Sequence, residues 1–349
     1  MAGYLVRRVL WAAVLLLVLT AVAYILFFVI ASGGEQTGTR RTAGPNADVS
    51  GQLQLSGPVP QQYLHLVELV VTHGSLGRSL FNRREVNALV ADAAPVTASI
   101  VVGGIVLTLL IALTVGIASA LRPRSLLDRG ATTFTLVGMS LHPAALGLGL
   151  GFLVGFKLGW LPIGGYCDFR PASDRCSGPI PWASHLVLPW LTFALPFAAI
   201  YTRMIRALVL EALQADHVRF ARAKGAPESQ VLRSHVLRPA LLPLVAMVAA
   251  DLGTAFVGSA FAGTIFVERV FGLPGIGALL LRATARGDLP VIVGVTLFVL
   301  VLVIVLSLVA DLIYPLLDPR VRLHTGFRLP TLRRAPQPAS ASQPAQTLS

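Results

Sequence analysis

Charged side chains are scarce in this sequence. Only 13% of its 349 residues are Asp, Glu, Lys or Arg, whereas 55% are hydrophobic and the mean hydropathy is +0.74. A soluble globular domain carries about 25% charged residues, so this composition excludes an ordinary soluble protein. The few charges lie between long apolar runs, and this pattern indicates an integral membrane protein.

Motifs for nucleotide binding and hydrolysis are missing as well. The sequence contains no Gly-x-x-x-x-Gly-Lys-[Ser/Thr] loop, no His-Glu-x-x-His and no Gly-x-Ser-x-Gly. Catalysis inside a membrane would need paired ionisable groups, but Asp251 and Asp311 are the only formal charges within the apolar runs. Two cysteines cannot form a four-thiolate zinc site. We therefore expect no enzyme, no bound metal and no cofactor on this chain.

Six apolar runs predict an all-α membrane protein with six transmembrane helices. Each run has about 17–27 residues, enough at ~1.5 Å per residue to cross a hydrocarbon core of about 30 Å. The first run is too long for the apolar part of a cleaved signal peptide, so we interpret it as an uncleaved span. The runs are Val9–Ala31, Val96–Leu121, Ala131–Phe156, Leu186–Thr202, Leu241–Val267 and Val291–Pro315.

Basic residues are distributed unequally over the two sides of these spans. The segments 1–8, 122–130, 203–240 and 316–349 hold 17 Lys/Arg and 5 acidic residues, against 11 and 9 on the other side. The positive-inside rule makes the richer side cytoplasmic, with both termini. This topology explains the net charge of +12 without nucleic acid, because no aromatic residues are interleaved with a basic stripe. The resulting domains are a first span (1–31), an external loop with an amphipathic helix (32–95), a five-helix core (96–323) and a disordered tail (324–349).

The segment 203–240 is polar and basic, unlike the runs on either side of it. Val209, Leu213 and Phe220 share one face of a helical period, which predicts a first short helix. Gly225 suits the left-handed residue that commonly ends a helix, and Pro227 with Glu228 suits the start of a second helix. A helix–break–helix unit with basic residues beside its break indicates a docking element for another protein.

Two segments carry a resemblance to a known family. The stretch Asp216–Gly225 (DHVRFARAKG), followed by His235–Pro243 (HVLRPALLP), resembles the cytoplasmic loop of ABC importer permeases of the dipeptide/oligopeptide/nickel family. The stretch Glu268–Gly277 (ERVFGLPGIG) resembles the turn at the external end of the family's fifth helix, carried by Glu268, Pro274, Gly275 and Gly277. The acidic residue of the general importer consensus is absent, a departure common in peptide-type members.

The resemblance implies the type I importer permease fold, in which the loop is a coupling helix that docks on an ATPase. It implies a second homologous permease as heterodimer partner, two ABC ATPase subunits that bind ATP and Mg²⁺, and an external substrate-binding protein or lipoprotein. The chain would lie in the bacterial inner membrane and pass di- or oligopeptides; nickel and glutathione are alternatives. The implied docking residues are Asp216, Arg219, Phe220, Ala221, Arg222, Lys224 and Gly225.

Several alternatives stay open at the level of sequence. An ion-coupled secondary transporter would use a buried acid, and Asp251 either lines such a path or makes an interhelical hydrogen bond. A structural scaffold is a third class, which the docking unit disfavours. His142 interrupts the third run as a packing or a pathway residue. Cys167 and Cys176 fall in a predicted external loop, where a disulfide is favoured over free thiols.

Overall fold

The computed structural model describes residues 76–169, 176, 178–241 and 255–317, with isolated positions between 10 and 25 and at 61 and 68. Side chains are not described for residues 255–262 and 310–317. The first span is described only at positions 10, 11, 13–15, 17–22 and 25, which are helical. The predictions for the amphipathic helix of the 32–95 loop lie almost wholly outside the described residues, and those for Asp251 and the 324–349 tail lie outside them.

The described residues form helices and no strand, which confirms the all-α class for this part of the chain. The helices are α1 (Val86–Leu121), α2 (Leu126–Ser140), α3 (Pro143–Leu150), α4 (Pro179–Gln214), α5 (Asp216–Ala223), α6 (Glu228–Gln230), α7 (Ala255–Val270), α8 (Ile276–Arg286) and α9 (Leu289–Leu317). π-helical turns extend α3 as Gly151–Lys157 and α6 as Val231–Leu237.

Three of these helices are long and apolar enough to cross a membrane. They are α1 and α4, with 36 residues each, and the part of α9 from Leu289 to Val309. The predicted second and fourth spans lie within α1 and α4, although α1 begins ten residues before the predicted Val96. The predicted sixth span lies within α9 as a whole. Helices α2 and α3 qualify only as a pair, so the described residues contain three or four spans and the count of six stays a prediction.

The third predicted span, Ala131–Phe156, is not one continuous helix. It is divided into α2 and α3, which are bent by 112°. The reason lies at His142 and Pro143: Pro143 has no amide hydrogen and occupies the first turn of α3, where none is needed. The Nδ1 atom of His142 accepts a hydrogen bond from the Ala144 amide at 3.2 Å, and its ring packs edge-on against Phe266. His142 is thus a capping and packing residue in this structure.

Helices α1 and α4 form the central packing of the fold. On α1, every fourth residue faces inward, and most of these are small. Gly104 lies so close to Phe193 of α4 that a Cβ would overlap the aromatic ring, and a Cβ on Gly116 would lie 3.0 Å from Cβ of Ile205. Small residues at this spacing let membrane helices approach closely. The buried stripe consists of Val96, Ile100, Gly104, Thr108, Ala112, Gly116 and Ala120.

Three apolar clusters follow one another along α1. The first packs the start of α1 against α8 and the start of α9, around Val86, Leu279 and Ile292. The second surrounds Ile100 and Phe271. The third joins the end of α1 to α4, α5 and α6 around Val209. These clusters define two ends of the molecule, the α8 end and the α5 end.

Candidate functional site

The predicted docking unit begins where α4 stops. Gln214 is the last residue of α4, and Ala215 has an extended backbone (ψ 144°) before α5 starts at Asp216. This break corrects one prediction: Val209 and Leu213 belong to α4, so Phe220 does not continue their face. On α5 it is Val218 and Ala221 that are buried, whereas the Phe220 side chain is 62% exposed.

The turn after α5 has the geometry of a Schellman motif. Gly225 adopts the left-handed conformation (φ 78°), as the sequence predicts. Its amide donates to the Arg222 carbonyl at 2.9 Å, and the Ala226 amide donates to the Ala221 carbonyl at 3.3 Å. These two bonds satisfy carbonyls that the end of α5 would otherwise leave free. The chain then turns through Pro227 into α6.

An ion pair clasps α5 to α6 across this turn. The Arg222 guanidinium donates to both carboxylate oxygens of Glu228, at 2.5 and 3.2 Å. These hydrogen bonds hold the pKa of Glu228 below its ordinary value and raise the pKa of Arg222. Arg222, predicted to contact a partner, is therefore engaged within the unit.

The inner face of α5 is tied to the end of α4. Val218 has no exposed surface and joins a cluster with Ile205 and Val209 of α4. Val231 and Val236, from the π-helical extension of α6, close the same cluster. The His217 Nε2 atom also lies 3.0 Å from the carbonyl oxygen of His235. Burial of this cluster makes α5 a rigid extension of α4 rather than a loose loop.

The outer face of α5 carries the remaining predicted docking residues. Asp216, Arg219, Phe220 and Lys224 are all exposed there. The Lys224 ammonium lies 4.6 Å from the centre of the Phe220 ring, a cation–π contact. The shortest distance between the Arg219 guanidinium and the Asp216 carboxylate is 3.9 Å. These exposed side chains therefore form a weak ion pair. Aromatic residues and arginine are enriched at protein interfaces, and the outer face of α5 exposes one of each, Phe220 and Arg219.

A partly buried ion pair near the same end was not predicted from the sequence. Asp128, in the first turn of α2, accepts two hydrogen bonds from Arg206 of α4, at 2.6 and 3.0 Å. The Arg124 amide donates a third at 2.9 Å, and Ser125 caps α2 by accepting from the Asp128 amide. The Ser-x-x-Asp spacing was a usable signal for the cap, but nothing local indicated Arg206 as the partner. This pair locks α2 to α4 two turns before α5.

At the α8 end, the second resembling segment surrounds a buried carboxylate. Glu268 has no exposed surface; it accepts hydrogen bonds from the Thr97 hydroxyl at 2.6 Å and the Ala278 amide at 2.8 Å. Thr97 in turn accepts from the Ile276 amide at 2.8 Å. Gly275 lies against the carboxylate, where a Cβ would overlap it. The motif therefore fastens the start of α8 to α7 and α1.

The other motif residues complete this turn. Pro274 is exposed, and a Cβ on Gly277 would lie 2.6 Å from Ile265, so the glycine permits close packing of α8 on α7. Nearby, Ser79 and Asp288 are both buried and joined by a 2.5 Å hydrogen bond, which ties the segment before α1 to the start of α9. Sequence reasoning gave Thr97 and Ser79 no role, because their partners are remote in the chain.

The two cysteines lie together in the connection between α3 and α4. Cys167 and Cys176 are joined as a disulfide, with Cα atoms 5.1 Å apart. His185 of α4 lies beside them, its Nδ1 atom 3.3 Å from the Cys167 sulfur and 2.9 Å from the Pro181 carbonyl oxygen. These three residues are the one group with metal-ligand spacing among the described residues. In the disulfide form neither sulfur is a thiolate, so the group does not bind a metal in that state.

Comparison with protein families identifies the class to which this chain belongs. Residues 112–323 match the binding-protein-dependent transport system inner membrane component family. Residues 1–101 match the N-terminal domain of the same membrane components. The chain therefore belongs to this family of ABC transport permeases, which confirms the resemblance found in the two motifs.

Individual relatives agree with this assignment over nearly the whole chain. The chain is 30% identical to the probable peptide ABC transporter permease protein y4tP of Sinorhizobium fredii over 325 residues, covering 92% of this chain and all of the relative. It is 31% identical to the oligopeptide transport system permease protein AppB of Bacillus subtilis over 327 residues, covering 92% and 99%. The described membrane-spanning helices suit a permease of this kind.

Proposed function

We propose that this chain forms one half of the translocation path of an ATP-driven peptide importer. The observation that carries the proposal is the family membership together with relatives named as peptide permeases at 30–31% identity over 92% of the chain. The path would be completed by a second homologous permease, and an external binding protein would deliver the peptide. Six spans with both termini in the cytoplasm of a bacterial cell fit the charge distribution.

Helix α5 is the coupling helix in this proposal, and its outer face docks on an ATPase subunit. Phe220 would be the apolar anchor, and Arg219 and Lys224 would pair with acidic residues around the docking groove. The proposal rests on the exposure of these side chains and on the buried attachment of α5 to α4. ATP-driven closure of two ATPase subunits would then move α4 as a rigid body and switch the path between its two openings.

Replacement of the exposed anchor tests this role. Phe220→Ala and Arg219→Glu should each leave membrane insertion unchanged but weaken co-purification of the ATPase subunits at least about ten-fold, because hot-spot truncations cost about 2 kcal/mol or more. Arg129→Glu is the matched control, since Arg129 is exposed at the start of α2 rather than on α5. Equal ATPase recovery from Phe220→Ala, Arg219→Glu and the Arg129 control would exclude α5 as the docking surface.

A further inference from the structure

A cavity of about 280 Å³ lies between α2 and α4. Its α2 wall is the stripe Thr132, Thr135, Leu136 and Met139, residues spaced on one helical face. Its α4 wall is formed by Thr202, Arg203 and Arg206. The cavity belongs neither to the outer face of α5 nor to the turn around Glu268.

The lining changes character along α2 and α4. Arg203 and Arg206 lie toward the α5 end of α4, which is cytoplasmic in the proposed topology. Met139 is seven residues beyond Thr132 on α2, about 10 Å along the helix axis away from that end. The cavity therefore has cations at its mouth and an increasingly apolar wall inward, a profile that matches a phospholipid.

The charges at the mouth favour an anionic ligand. Arg206 is neutralised by its bidentate contact with Asp128. Arg203 is exposed, and no carboxylate among the described residues forms an ion pair with it. One uncompensated positive charge at the membrane interface matches one phosphodiester charge.

Two further observations point to a ligand that enters from the bilayer. The Thr202 hydroxyl, in the α4 wall, is fully buried and has no hydrogen-bond partner in the described part of the chain, so this wall contains an unpaired polar group. Leu136 and Met139, 64% and 49% exposed, continue the cavity into an apolar outer face of α2. Exposed apolar side chains beside the opening suit contact with lipid hydrocarbon.

We propose that this cavity is a binding site for an anionic glycerophospholipid. The phosphate lies on Arg203, and one acyl chain follows the α2 stripe from Thr132 to Met139. Because Arg206 lines the cavity and is paired with Asp128, the lipid packs against the partly buried ion pair that joins α2 to α4. Bound lipid would thereby stabilise the helix that carries α5.

The test uses the purified assembly of the permease pair and its ATPases in detergent, titrated with dioleoylphosphatidylglycerol and followed by native mass spectrometry. We expect phosphatidylglycerol to bind more tightly than dioleoylphosphatidylcholine. Arg203→Gln should weaken phosphatidylglycerol binding about five-fold, the effect of one basic residue at a membrane surface. Arg233→Gln is the control, because Arg233 is an exposed cation of the α6 extension away from the cavity. Met139→Trp, which narrows the apolar part, should also weaken binding.

Three outcomes would overturn the proposal. Equal affinity for the two lipids would show that the site does not select an anionic headgroup. Equal affinity of the Arg203→Gln and Arg233→Gln variants for phosphatidylglycerol would show that Arg203 does not bind the phosphate. If glycerol phosphate bound as tightly as the full lipid, the acyl chain would not contribute to binding at this site. Displacement of phosphatidylglycerol by a transported peptide would assign the cavity to the translocation path instead. None of these readouts depends on transport, so they are separate from the test of the proposed function.

Discussion

Glu268 shows how much a single residue contributes to this fold. Its carboxylate has no contact with water, yet its oxygens accept from a hydroxyl of α1 and an amide of α8. A buried charge without such donors would be strongly destabilising. The glycines of the motif follow from this arrangement, since a side chain at Gly275 would occupy the space of the carboxylate.

Thr97→Val should destabilise the protein by about 1–3 kcal/mol, because it removes the hydrogen bond to the Glu268 carboxyl group and leaves the Ile276 amide unpaired. Valine keeps the shape of threonine, so packing is nearly unchanged. Thermal unfolding in detergent measures the effect. Thr133→Val is the control, because its hydroxyl is exposed and bonds only to the Arg129 carbonyl. A Thr97→Val protein as stable as the control would show that the hydroxyl does not support Glu268.

Gly225→Val should abolish uptake while leaving insertion intact. Gly225 has φ 78° and open space around it, so valine would meet no neighbour but would strain the backbone by about 1–2 kcal/mol. Gly225→Asn should restore much of the activity, because asparagine tolerates this conformation. The control Gly130→Val adds the same side chain within α2, where nothing lies within 4 Å. Normal uptake by Gly225→Val would contradict the need for this turn.

At the scale of elements, the α5–turn–α6 unit combines a backbone motif with an exposed ion pair. The Schellman bonds fix the direction of the chain, and the Arg222–Glu228 clasp holds the two helices at that angle. The clasp is exposed, so its contribution is small and depends on ionisation.

The clasp should make the order of this turn depend on pH. The folded pKa of Glu228 lies below its ordinary value of 4.5, so the stabilisation is complete above about pH 4.5. This stabilisation is lost as the pH falls through the lowered pKa that Glu228 has in the folded protein. Amide-exchange protection of residues 224–226, corrected for intrinsic rates, should therefore be higher in wild type than in Glu228→Gln at pH 7. The two proteins should converge well below pH 4.5. A difference that persists unchanged in acid would show that the clasp is not ionic.

Features that depend on neighbouring residues in the sequence were predicted well. The apolar runs located α1, α4 and α9, and the Gly-x-Pro spacing predicted the turn at Gly225. The angle between α2 and α3 was not predictable, because Pro143 imposes a break but packing of α3 against α4 and α7 sets its direction. Phe220 was placed on the wrong face because a helical period was continued through Ala215, whose extended backbone the sequence does not mark.

At the scale of the whole molecule, the two ends are linked through the α1–α4 pair. The α8 end is fastened by Glu268 and by the Ser79–Asp288 contact, and the α5 end by Asp128–Arg206. The partners in these contacts are separated by between 78 and 209 positions in the sequence. Helical periodicity therefore could not have predicted the pairs. Because α4 carries α5 directly at its end, a force on α5 acts on the packed α1–α4 pair rather than on a flexible loop.

In the proposed function, ATP hydrolysis on separate subunits drives peptide movement through this chain. The most direct measurement is uptake of a radiolabelled pentapeptide by proteoliposomes that contain the permease pair, its ATPases and the binding protein. We predict accumulation that requires ATP, stops when the ATPase subunits are omitted and is not replaced by an imposed proton or sodium gradient. Accumulation driven by such a gradient without the ATPase subunits would contradict ATP-driven uptake and identify a secondary transporter.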